Sequence, residues 1–110
     1  MSCIFCEIVK GNIPAEVIYD KGGILAIKDI SPKAKVHLVI FPREHVADTV
    51  HDKSADKVIL KIFKTIRETA KIQEIDNTGY RVITNHGRDA HQTVAHVHFH
   101  LIGGEPLSSF

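Results

Sequence analysis

Residues 95–102 read AHVHFHLI, with histidines at 96, 98 and 100 alternating with Val97, Phe99 and Leu101. No other feature restricts the fold as much. On a helix, a step of two residues scatters these side chains around the axis. On a strand, residues i, i+2 and i+4 share one face. The segment is therefore expected to be a strand over 94–102 with two unlike faces. His96, His98 and His100 point one way, at roughly 7 Å spacing. Val97, Phe99 and Leu101 point the other way and require an apolar layer to cover them.

That layer can be found upstream. Ile59, Ile62, Phe63, Ile66 and Ala70 recur at helical spacing, with Lys57, Lys61, Lys64, Arg67 and Lys71 largely off the stripe. This predicts one long amphipathic helix packed on the sheet, with Ser54 as its N-cap. A short helix is expected at 4–9, with Ile4, Phe5 and Ile8 on one side and Gly11 ending it. The runs AEVIYD and ILAIKD flank Gly22-Gly23 and read as a hairpin. HLVIF (37–41), stopped by Pro42, and YRVIT (80–84) read as two further strands. The polar stretch 85–93 is longer than most hairpin loops, which marks it as functional. Strands on both sides of one long helix suggest an α+β domain with an antiparallel sheet, occupying 1–110 as a single unit.

Composition excludes several functions. Formal net charge is +1 over 110 residues, so there is no basic footprint for nucleic acid and no polybasic membrane patch. No apolar run approaches the roughly 20 residues of a membrane span. The first residues, MSCIFCEIVKG, lack the ordered regions of a signal peptide, so a cytoplasmic location is expected. In that compartment Cys3 and Cys6 serve as thiols or metal ligands rather than as a disulfide. A chain this small buries its core only marginally, which favours a homodimer.

Three imidazoles in a row resist joint protonation, because each charge disfavours the next. At neutral pH they are expected to be mostly neutral, hence nucleophilic or able to bind metal. Three readings follow: a wet polar strand face, a His-x-His zinc site, or covalent catalysis with one histidine attacking and its neighbours orienting it. Spacing does not choose between the last two. His37 opens a strand and can join the same face. Asn85, Gln92 and Thr93 suit phosphate oxygens. No Walker loop, Gly-x-Gly-x-x-Gly turn or serine elbow is present.

HVHFHLI fits the pattern His-φ-His-φ-His-φ-φ (φ apolar) of the histidine triad superfamily. CIFCEIVKGNIPAEVIYD, ILAIKDISPKAKVHLVIFPREHV and NHGRDAHQTVAHVHFHLIGG follow its order over nearly the whole chain. The sequence most resembles the Hint branch, the histidine triad nucleotide-binding proteins, in its compact microbial form. The resemblance implies a five-stranded antiparallel sheet with one long and one short helix, extended across a homodimer. It also implies hydrolysis of purine nucleoside 5'-phosphoramidates (AMP or GMP joined to an amine) through a nucleotidyl-histidine intermediate. By that resemblance His98 is the nucleophile, His100 binds the phosphate, and His37 completes a proton relay. Asn85 and Thr93 contact phosphate and leaving group, and Asp29 takes the ribose hydroxyls. Ile4, Phe5, Ile8, Ile30 and Val39 form the slot for the base.

On its own, Cys-x-x-Cys suits a redox pair, half a zinc site or neither, although no βαβ pattern follows to support a thioredoxin-like reading. Some relatives bind a structural zinc with such a pair and two histidines. The matching residues here are Cys3, Cys6, His45 and His96. His51, His86 and His91 match no family site and are expected to be solvated loop residues. Ala95 stands where some relatives carry a large aromatic, and the tail EPLSSF lacks a tryptophan-containing end. Two rival readings are a zinc-containing nucleotide-binding or interaction protein with incidental hydrolysis, and a dinucleoside polyphosphate hydrolase.

Overall fold

A computed structural model describes residues 3–46 and 52–110; His51 lies outside them. The elements are α1 (Ile4–Val9), β1 (Val17–Lys21), β2 (Ile24–Lys28), β3 (Val36–Pro42), α2 (Asp56–Ile72), β4 (Tyr80–Ile83) and β5 (Phe99–Gly103). Short 3-10 turns cover Lys53–Ala55 and Arg88–Ala90. The strands form one antiparallel sheet in the order β1-β2-β3-β5-β4. At the first hairpin Lys21 pairs with Ile24, and Gly22 and Gly23 take φ of 62° and 82°. That is the two-residue connection whose twist matches the strands, and glycine adopts it without a Cβ clash.

Each strand contributes to both faces of the sheet. Ile24, Ala26, Leu38, Ile40, Val97, Phe99 and Leu101 pack under Ile62, Ile66 and Ala70 of α2. Leu25, Ile27, Val39 and Phe41 face the other way, where Phe5 of α1 stacks on Phe41 at 4.5 Å between ring centres. Because both faces are covered, Ile24 to Ile27 is a continuous buried run without polar alternation. Of the expected helical stripe, Phe63 is 42% exposed and meets the core only edge-on to Phe99. Thr65 and Thr69 are buried in its place, their hydroxyls bonded to the carbonyls of Lys61 and Thr65 one turn back. That local bond satisfies a polar side chain inside a core.

Two expected boundaries are corrected. Ser54 does not cap α2: Asp52 accepts the Ser54 N–H at 2.9 Å to open a 3-10 turn, and α2 follows after Ala55. The last strand starts at Phe99 rather than 94, so His96 and His98 precede it. Pro42 lies where β3 would donate to this segment, and it has no N–H. The carbonyls of His96 and His98 are instead taken by the side chains of His98 and Thr84. The alternation of faces nevertheless continues through 96–98: Val97 is in the α2 core and His96 and His98 contact Phe5 on the other side.

Candidate active site

The sheet face opposite α2 carries four buried or half-buried imidazoles, and their fixed partners assign each proton. His98 Nδ1 lies 2.7 Å from the carbonyl oxygen of His96. A carbonyl only accepts, so Nδ1 carries the hydrogen and neutral His98 keeps its lone pair on Nε2. The Thr84 hydroxyl donates to the carbonyl of His98 at 2.8 Å and pins the backbone beneath the ring. His98 also lies against Phe5 (4.9 Å) and His100 (5.4 Å).

His37 and His100 form a second set. The backbone N–H of Lys33 donates to His37 Nδ1 at 3.0 Å, so the His37 proton sits on Nε2. That proton is donated to His100 Nδ1 at 2.9 Å, with Asp29 Oδ2 at 3.4 Å from the same nitrogen. His100 is thereby left with its own N–H on Nε2. Asp29, His37 and His100 are close enough together to resemble a metal site. Yet the Lys33 N–H leaves no lone pair on His37 Nε2, so the group is a hydrogen-bonded relay. Burial pushes His100 down to about 4, with His98 and His37 adding to the effect and Asp29 opposing it. Burial also lowers His37, against the pull of Asp29. Both rings are neutral at pH 7.

A cavity of about 290 Å³ opens over this face. Its apolar lining comes from Ile4, Phe5, Ile8, Ile13, Pro14, Ala15, Ile27, Ile30, Val39 and Val94. Asp29 stands beside it; one carboxylate oxygen accepts the Ser31 N–H at 2.8 Å. Its polar lining comes from Lys28, Asp29, Asn85, His91, Gln92, Thr93, His98 and His100. Asn85 uses one N–H on the carbonyl of Ala90, and Gln92 clamps the loop through Gly87 N–H and the carbonyl of Val94. The structure thus brings Asp29, Asn85, Thr93, His98, His100 and all five expected slot residues to one cavity. His37 sits behind His100 and does not line it. Sequence reasoning missed Ile13, Pro14, Ala15, Ile27, Lys28 and Val94 of the lining, and Thr84 beneath His98. His91, expected to be a solvated loop residue, is exposed and also lines the cavity; His86, expected likewise, is half-buried in the same loop.

Behind the cavity His96 is fully buried, and its Nε2–H donates to the carbonyl of Pro42 at 2.8 Å. Its Nδ1 lone pair therefore faces Cys3 Sγ (3.3 Å) and Cys6 Sγ (3.6 Å), while Cys6 Sγ lies 3.3 Å from His45 Nδ1. All four ligand atoms fall within 4.8 Å of one another. Burial, and then the neighbouring Cys3 sulfur, push the Cys6 thiol up, a tendency that a cation between the two sulfurs would reverse. The set fits a tetrahedral ion with N and S ligands, its buried histidine oriented by a backbone carbonyl.

Comparison with known proteins shows what the chain is similar to. The HIT domain family matches residues 10–107. An adenosine 5'-monophosphoramidase of Schizosaccharomyces pombe is 43% identical over 102 residues, 93% of this chain and 74% of that protein. A purine nucleoside phosphoramidase of Escherichia coli K12 is 36% identical over 106 residues, 94% of this chain and 88% of that protein. The solved structure of a histidine triad protein from Clostridium difficile superposes with a TM-score of 0.93 at 34% identity, covering 100% of this chain and 96% of the other. Among the described residues no helix is long and apolar enough to cross a membrane.

Proposed function

Because the chain belongs to the HIT domain family, we propose that it hydrolyses purine nucleoside 5'-phosphoramidates through a nucleotidyl-histidine intermediate. The observation that supports this most is the tautomer of His98. With Nδ1–H held by the His96 carbonyl, the Nε2 lone pair is available at the polar lining of the cavity without an external base. Attack forms an Nε2–P bond and breaks the P–N bond. The electron pair goes to the leaving nitrogen, which takes a proton relayed from water by the Thr93 hydroxyl. The imidazolium that results is stabilised by the same Nδ1–H···O=C bond. His100 donates from Nε2 to a phosphate oxygen, and His37 holds it in the donor tautomer. Water then cleaves the Nε2–P bond, releasing the nucleoside monophosphate and restoring His98. The base lies in the apolar slot and the ribose against Asp29.

The same reading includes a structural zinc on Cys3, Cys6, His45 and His96. It would fix α1 and the segment before β5, and so the wall of the base slot and the backbone of His98; it supplies no chemistry to the step. It also includes a cytoplasmic homodimer in which two five-stranded sheets join through an edge strand.

The test is a side-by-side measurement of kcat/KM for an AMP phosphoramidate and diadenosine triphosphate. The phosphoramidate is expected to react far faster. A polyphosphate leaving group needs several cations, and among the described residues Lys28 is the one lysine or arginine that lines the cavity. Preference for the triphosphate compound would overturn the substrate class.

A further inference from the structure

His91 closes the 3-10 turn Arg88–Ala90 in the left-handed conformation, with φ 61° and ψ 37°. The turn requires that geometry: the His91 N–H reaches the carbonyl of Arg88 (2.9 Å) and the Gln92 N–H that of Gly87 (3.1 Å). It does not require an imidazole. Glycine meets the same geometry at no steric cost, whereas a side chain with a Cβ is strained there. Side-chain bonds on both sides hold the strained backbone in place, from Asn85 to Ala90 and from Gln92 to Gly87 and Val94. Strain that the surroundings over-determine, beside a reactive group, points to use of the strained side chain.

His91 is exposed and lines the cavity together with Asn85, Thr93, His98 and His100. In the proposed reading the base takes the apolar slot, which leaves the loop 85–93 to the leaving group. Arg88 of the same loop does not line the cavity, and Lys28, which does, pairs with Glu16 at 3.0 Å. We propose that His91 is a specificity-determining residue that selects leaving groups carrying an anionic acceptor. The chemical class is an amino acid joined to the nucleotide through its amine, with its carboxylate free. One imidazole matches one carboxylate and does not match a polyphosphate chain. This inference rests on the phosphoramidase reading above.

The experiment compares two substrates, AMP joined through nitrogen to an amino acid and the methyl ester of the same compound. His91→Gly removes the ring and relieves the backbone, so its melting temperature is expected to equal or exceed that of the wild type. Its kcat/KM is expected to fall about tenfold for the free acid, the value of one charge-assisted hydrogen bond, and to stay within about twofold for the ester. His91→Asn, which tolerates the left-handed region and keeps a donor, is expected to lie between the two. Equal loss on both substrates, no loss on either, or an Asn variant no better than Gly would overturn the inference. If the wild type cleaves neither compound, the phosphoramidase reading itself fails and the inference falls with it.

Discussion

Two clusters of ligand-type residues flank His98, and they differ in where their protons lie. In Cys3–Cys6–His45–His96 the one fully buried ring donates its Nε2–H away to Pro42, so the Nδ1 lone pair and both sulfurs converge on one point. In Asp29–His37–His100 the Lys33 N–H forces a proton between the partners. Both sets look alike by proximity alone. One backbone partner in each decides that the first suits a cation and the second passes hydrogen bonds toward a phosphate. His98 lies between them and takes the third arrangement, a proton fixed on the inner nitrogen and a free pair on the outer one.

Substitutions can separate the three roles. The largest effect is expected at His98: His98→Gly should abolish phosphoramidate turnover, a loss of about a thousandfold or more, while AMP binding stays within about tenfold. Isothermal titration and steady-state assay check the two halves. Next is the Cys3→Ser, Cys6→Ser double variant. Elemental analysis should find about one zinc per wild-type chain and none in the variant, with a lower melting temperature and a smaller loss of rate than at His98. Full metal in the variant, or none in the wild type, would erase the difference between the clusters. His37→Ala should lower turnover about ten- to a hundredfold and leave the zinc content unchanged, since it removes the hydrogen bond that fixes the tautomer of His100 and lies outside the Cys3–Cys6–His45–His96 set.

The residue pattern alone showed much of this layout. Alternation across 96–101 separated the apolar face from the imidazole face correctly. The hairpin glycines, α1 and the long helix were also legible from local chemistry. The late start of β5 was not, because it depends on Pro42 facing this segment from another strand and on which side chains take the carbonyls of His96 and His98. Ser54 has the residue type of an N-cap, but Asp52, two residues earlier, competes for the turn. In the site, residue types and resemblance pointed to the side chains that share the cavity. They could not show the Lys33 N–H, the Pro42 carbonyl or the Thr84 hydroxyl. These are distant in sequence or belong to the backbone, and they settle which nitrogen carries each proton. His91 was missed because a polar loop histidine has no pattern; its positive φ is visible only in three dimensions.

Acid should act on the relay. The folded value for His100 is near 4, against 6.5 for a free histidine. The neutral ring is favoured by folding, so its contribution is fully present above pH 6.5. It is lost as pH falls from there toward about 4, where the folded ring also takes its proton. Urea midpoints should therefore decline across that window, and less steeply in His100→Gln. The smallest effect is expected at Thr84→Val, which leaves the His98 carbonyl without its hydroxyl: about 1 kcal/mol of stability, with zinc content unchanged.

The central claim is that His98 Nε2 becomes covalently bonded to phosphorus. Rapid quenching of the wild-type protein with an AMP phosphoramidate under conditions that spare P–N bonds, followed by intact-mass and peptide analysis, tests it directly. The account predicts one nucleotidyl group per chain, carried on His98, formed at least as fast as the overall turnover. Full turnover with no adduct at any time, or an adduct that persists in His98→Gly, would contradict it.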